Sequence, residues 1–173
     1  FPTSISKTLY KAEEYSKGLV SGGTLFEELG FELPPAPSAV GVYRPAMIVG
    51  NLCYTSGHVP ILNDGSLMTG CTGRDVDQQG AYLAARQSGL TMLATLRVEL
   101  GTLDRIKRVV KLFGMVCCTD DFTQQPAVIN GCSELMSAVF GVDAGVGTRS
   151  AVGVNALPMG VIVEIEGVFE LHD

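Results

Sequence analysis

Tryptophan is absent from this 173-residue chain, histidine occurs twice, and only 17% of the residues are Asp, Glu, Lys or Arg. Each scarcity removes a class of function. His58 and His172 stand far apart and outside any HExxH-like spacing, so a metal centre built by the protein is not expected. No apolar run approaches the roughly 18 residues that a membrane-spanning helix needs. Lys and Arg number 12 against 18 Asp and Glu, which leaves a net charge of -6 and a pI near 4.9. That balance argues against nucleic-acid binding, because phosphate contacts demand clustered cations. The one basic cluster, Arg105, Lys107, Arg108 and Lys111, reads as the solvated edge or end of a strand. Five cysteines, at 53, 71, 117, 118 and 132, form no CxxC pair. Their odd count and irregular spacing point to reduced thiols in a cytoplasmic setting.

What the chain has in quantity is apolar surface: 46% of it is hydrophobic, with 21 Gly and 8 Pro, enough for one compact domain with a substantial core. So few charges and a mean hydropathy of +0.29 cannot cover a monomer with polar groups, and part of the surface is expected to be buried between subunits. Residues 1–23 contain Ser and Lys, lack a starting Met and end in Ser-Gly-Gly, so they read as a trimmed or appended arm. Lys7–Val20 could form a helix, but Glu13 and Glu14 fit a transit peptide poorly, and a mitochondrial address is the weaker alternative to a cytoplasmic one. The single domain is then 24–173.

Thr24 is placed to cap a short helix over Leu25–Leu29 that Gly30 closes, and the Pro-rich run after Phe31 must be extended. Two short strands, Ala46–Val49 and Leu52–Thr55, flank a tight Gly50-Asn51 turn. Asp75 and Gln78 have capping-box spacing for a long helix that ends at Gly101, with Leu83, Leu90, Leu93, Leu96 and Leu100 as its buried stripe. Ile106–Cys118 reads as a long central strand that is apolar on both faces, hence covered on both. A second helix spans Gln125–Phe140, with Val128, Cys132, Leu135, Met136 and Val139 inward, and Gly141–Gly147 is a flexible loop. The order of elements predicts an α+β layer: a mixed sheet with two helices on one face, and the other face buried by further copies.

The stretch Thr148–Leu171 organises the functional reading. Two period-2 runs flank the turn signal Asn155–Gly160 and predict a β-hairpin. On its second strand Val161, Val163, Ile165, Phe169 and Leu171 share one face, while Glu164, Glu166 and Glu170 share the other. A hairpin register that sets Arg149 opposite a carboxylate selects Glu164 or Glu166. Such a pair is either an ordinary cross-strand ion pair or a site for a small anion beside a proton-transfer group. Ser56 and His58 lie too close on one extended chain for a nucleophile and its base, Tyr43 reads as a buried tyrosine with a bonded hydroxyl, and Asn130 falls opposite the Cys132 stripe, exposed or at a contact.

PAPSAVGVY, VGNLCYTSGHVP, LDRIKRVVKLFGMVCCTDDF and GTRSAVGVNALPMGVIVEIE together make the chain resemble the RidA/YjgF family, the reactive-intermediate imine deaminases once labelled L-PSP endoribonucleases. The resemblance runs from about Leu25 to Leu171. It implies a chorismate-mutase-like fold, a homotrimer whose sheets form a barrel, and clefts between subunits. It also implies a hydrolase without a cofactor, of the 2-iminobutanoate/2-iminopropanoate deaminase type. Such an enzyme converts 2-imino acids, such as the 2-aminoacrylate released by pyridoxal-phosphate enzymes, into 2-keto acids and ammonia. Carried over by position, Arg149 holds the substrate carboxylate, Glu164 positions water and relays protons, Tyr43 and Asn130 line the cleft, and Ser56, Gly57 and Ala151 bind through their main chain. His58 stands where Gln is usual and Ala151 where Cys is frequent. Those departures keep open a rival, a non-catalytic metabolite-binding or chaperone-like trimer. An endoribonuclease, the older label, conflicts with the acidic charge.

Overall fold

The computed structural model describes residues 22–173, so the arm expected over 1–23 lies outside the described residues except for its last two. The elements, in chain order, are helix α1 (Gly22–Glu28), strands β1 (Ala46–Val49) and β2 (Leu52–Thr55), helix α2 (Gln78–Leu100), strand β3 (Ile106–Cys117), helix α3 (Gln125–Phe140), a single helical turn α4 (Val142–Gly145), and strands β4 (Thr148–Val154) and β5 (Val163–Leu171). The sheet order is β1-β2-β5-β3-β4, antiparallel except that β4 runs parallel to β3. This is the expected mixed α+β layer. Among the described residues, no helix is long and apolar enough to cross a membrane.

The C-terminal hairpin does not form. β3 enters between β4 and β5 and bonds to both, with Leu112 opposite Arg149 on one side and opposite Gly167 on the other. The physical reason is the linker: residues 155–162 hold a 3-10 turn at Pro158–Gly160, which carries the chain past the end of β3 instead of reversing it beside β4. Alternation along a strand fixes which side each residue faces but says nothing about which strand lies next to it.

Local capping also differs from the pattern read in the sequence. Asp77, not Asp75, caps α2, its carboxylate accepting from the Gly80 amide at 2.7 Å. Asp75 instead accepts from the Cys71 amide and pairs with Arg74. Helix α1 begins at Gly22, so Thr24 lies inside it and is not its cap. Residues 141–147 are not simply a loop, since α4 forms there and Gly145 packs on the α3 main chain.

The core lies between the sheet and the paired helices α2 and α3, where Met92, Leu93, Leu96, Ile129, Met136, Phe140, Ile165 and Phe169 are fully buried. Leu83, at the start of the leucine stripe, is 45% exposed, because the stripe turns inward only from Leu90 onward. Small residues set the helix spacing: a Cβ on Gly131 would strike the Tyr82 carbonyl, and one on Gly89 would come within 2.9 Å of Leu135. The opposite face of the sheet carries Met47, Val49, Tyr54, Phe113, Met115 and Val152, and the described residues leave it open, with Val49 57% exposed. The prediction that one strand has cover on both faces therefore holds within this chain for one face only.

Gly131→Ala is expected to destabilise the protein by about 1–3 kcal/mol through overpacking. Leu83→Ala, on the same helix pair but exposed, should stay within about 0.5 kcal/mol of the parent. Urea unfolding at fixed protein concentration measures both, and equal midpoints for the two variants would contradict this packing.

Candidate functional site

Strand parity sorts the candidate residues into two groups. Arg149 shares a face with Leu112, so its side chain runs toward the helices, where Nη1 donates to Asn130 Oδ1 at 2.7 Å and to Ser133 Oγ at 3.1 Å. Asn130 and Ser133 are three apart on α3 and project together toward β4. Ala151 follows Arg149 on the same face of β4, opposite Gly114. Glu164 lies opposite Met115 on the uncovered face. Arg149 and Glu164 are therefore on opposite sides of the sheet with β3 between them, and the cross-strand pair read from the sequence is not made within one chain.

The second group gathers around Glu164. Its carboxylate lies against Gly57, where any side chain would collide with it. Ser56 is bound by its amide to the Pro45 carbonyl at 2.9 Å and by its hydroxyl to the Arg44 carbonyl at 2.6 Å. Its hydroxyl is therefore committed to the main chain and is not paired with His58 as a nucleophile would be. Tyr43, next to Arg44, is 52% exposed, against the expectation of a buried ring, and its hydroxyl accepts from the Val40 amide at 3.5 Å. The proline-flanked segment holding it lies on the surface and never enters the core.

Electrostatics separates the groups further. Burial, and then the neighbouring Glu166, raise the Glu164 pKa above the ordinary carboxylate value, so this acid keeps its proton to higher pH. Among the described residues no carboxylate pairs with Arg149, whose partners are a neutral amide and a hydroxyl. The Cys132 thiol behind it is fully buried and pushed up to about 12, so it is no nucleophile. Among the described residues no group of three or more His, Cys, Asp or Glu could hold a metal ion. A cleft of 310 Å³ lined by Cys118, Asp120, Gln125 and Asn155 sits at the ends of β3 and β4 and contains none of these candidates.

His58, which the sequence offers neither as a metal ligand nor as the base for Ser56, is fixed on every side in the structure. It is 3% exposed, its main chain pairs with Ile165 in both directions, and its ring bonds the Ser56 carbonyl and the Thr95 hydroxyl, each at 2.8 Å. Burial lowers its pKa to about 4. Ser133 and Thr95 were not picked from the sequence. The signal for Ser133 is its three-residue spacing from Asn130, whereas nothing local marks a threonine 37 residues from its histidine.

Comparison with known proteins agrees with this fold. The family model described as "YjgF/chorismate mutase-like, putative endoribonuclease" matches residues 25–171. Protein TCP17 of Trypanosoma cruzi is 37% identical over 147 residues, which cover 85% of this chain and 92% of that protein. Among solved structures, Atu1372 of Agrobacterium tumefaciens, described as of unknown function, is 39% identical with a TM-score of 0.78, covering 87% of this chain and 92% of that one. RidA of an Antarctic Psychrobacter is 28% identical with a TM-score of 0.55, covering 81% and 97%.

The buried imidazole yields a pH prediction. His58 binds its proton near pH 4 when folded and near 6.5 when unfolded, so between those values the unfolded chain holds more protons. Its contribution is complete above about pH 6.5 and is lost as the pH falls, reaching about 2 kcal/mol of lost stability at pH 5. The raised acid Glu164 works in the opposite direction, so the measurement belongs in a Glu164→Gln background. Urea midpoints at pH 7 and 5, with and without His58→Gln, isolate the effect; a slope that persists without the imidazole would assign it elsewhere.

Proposed function

The chain belongs to the YjgF/chorismate mutase-like family, and from that footing we propose that it hydrolyses 2-imino acids to 2-keto acids and ammonia. The reading is supported by two separate sets of residues, each incomplete within one chain. One presents a guanidinium with only neutral partners, and the other presents a carboxyl of raised pKa beside the glycine main chain.

Arg149 takes the substrate carboxylate in a two-pronged, charge-assisted contact, with Asn130 and Ser133 fixing the plane of the fork. Glu164 supplies a proton to the imine nitrogen, which makes the carbon electrophilic, and then orients the water that adds to it. Collapse of the resulting amino alcohol breaks the C–N bond, forms the keto group and releases ammonia. The reaction is a hydrolysis and calls on no cofactor. Imines of this kind are released by pyridoxal-phosphate enzymes, which are the functional partners of the reading.

Because the half-sites face opposite sides of the sheet, the reaction needs a second copy: Arg149, Asn130 and Ala151 from one subunit, and Tyr43, Ser56, Gly57 and Glu164 from the next. The uncovered apolar face supports an assembly in which three such faces turn inward. The same clefts would bind keto acids without turnover in the rival reading, which the departures at His58 and Ala151 motivate. An endoribonuclease role gains no support from a net charge of -6.

The test is ammonia release, or competition with semicarbazide, when the protein is mixed with an imine-generating amino-acid oxidase. Glu164→Gln should lower turnover by roughly 100- to 10,000-fold. Arg149→Ala should chiefly weaken binding of 2-keto acids and other carboxylates. Ligand binding without acceleration by the unmodified protein would favour the rival. At substrate levels where both variants are nearly silent, reassembling an equal mixture of them should restore about a quarter of the activity if each site draws on adjacent copies. No recovery from verified mixed trimers would overturn the shared two-subunit site.

A further inference from the structure

His58 touches neither the proposed substrate carboxylate site nor the open face, yet it is tied at four points. Its amide donates to the Ile165 carbonyl at 2.8 Å, and its carbonyl accepts from the Ile165 amide at 3.0 Å. The Ser56 carbonyl can only accept, so Nδ1 carries the ring proton, and Nε2 is left to accept from the Thr95 hydroxyl. A neutral imidazole satisfies both contacts with nothing left over. Thr95 is 2% exposed, on the buried face of α2 one turn before its C-terminal end.

On the sheet side, the segment that His58 holds by its ring and main chain lies next to Glu164. Ser56 and Gly57 form the short segment on which the Glu164 carboxylate rests, and Ile165 is its neighbour on β5. The ring therefore links the segment under the carboxylate to the helix behind the sheet. We propose that His58 is a positioning residue: locked to Thr95, it fixes the Ser56-Gly57 main chain against the Glu164 carboxylate and so sets where that group can deliver its proton. This deepens the reading of Glu164 given above and rests on it. The charged groups on the same face as Glu164 are Glu166 and Glu170 on its own strand, the latter paired with Lys107 and Arg108, and Lys111 on β3, which bonds Ser150.

Removal of one buried hydroxyl tests the idea without touching substrate-binding groups. Thr95→Val should lower kcat about 10- to 100-fold, as misplacing a reacting group does, while KM changes less than about twofold. Thr95→Ser, which keeps the hydroxyl, should restore turnover. Titration of the 13C-labelled Glu164 carboxyl gives a readout independent of catalysis: its pKa should fall toward the ordinary value in Thr95→Val, because a loosened Ser56-Gly57 segment admits water. If Thr95→Val does not fold, His58→Asn serves for the same titration, since the shorter amide cannot reach both partners. An unchanged Glu164 titration and kcat in a folded variant would overturn the proposal, as would a Thr95→Ser protein as impaired as Thr95→Val. Should the unmodified protein lack turnover, the deaminase reading fails, and the titration alone then supports or overturns the positioning role.

Discussion

The hydrogen bonding of β3 to a neighbour on each side is the constraint on which the rest of this structure depends. Because β3 serves β4 and β5 at once, its register dictates the face of every residue on both. Leu112 sends Arg149 toward the helices, and Met115 sends Glu164 away from them. A shift of one residue on either side would exchange core for surface along a whole strand, and the buried Val163, Ile165 and Phe169 forbid that on β5.

The separation of the two charged groups has a chemical meaning. Side by side, a guanidinium and a carboxyl would form an ion pair, the acid would be driven to low pKa, and neither would be free for a ligand. With a strand between them, burial and Glu166 raise the pKa of the acid, and the guanidinium rests on an amide and a hydroxyl. Within one chain neither group neutralises the other, and under the proposed function a second copy would bring them together. The low charge content of the chain belongs to the same design, since few ions are present to neutralise either group.

Much of this was legible in the sequence. Helical periodicity located α3, the Gly50-Asn51 turn located the β1–β2 hairpin, and alternation placed Glu164, Glu166 and Glu170 on one face. The positive φ of 62° at Gly50 shows why that turn signal was reliable. Partnership between distant strands was not legible, because an alternating pattern is satisfied by any neighbour, and Arg149 was assigned to the wrong one. Asp75 and Asp77 both precede α2, and only the local fold, which commits Asp75 to Cys71 and Arg74, decides between them. Asn130 seemed unremarkable on its helix because its role comes from β4, which lies later in the chain. His58 and Thr95 carry no mutual signal at all: their contact exists only once the sheet and helix have packed.

The two glycines at the α2–α3 contact differ in what crowds them, and that difference bears on how the family can drift. Beside Gly89 stand the side chains of Leu135 and Cys132, which smaller residues could replace, so a larger residue at 89 has a compensating route through the facing helix. Beside Gly131 stand the Tyr82 carbonyl and the Arg86 amide, which no codon change can shrink. A side chain at position 131 therefore has no compensating route through its neighbours as long as the helices keep their present spacing, whereas one at position 89 does.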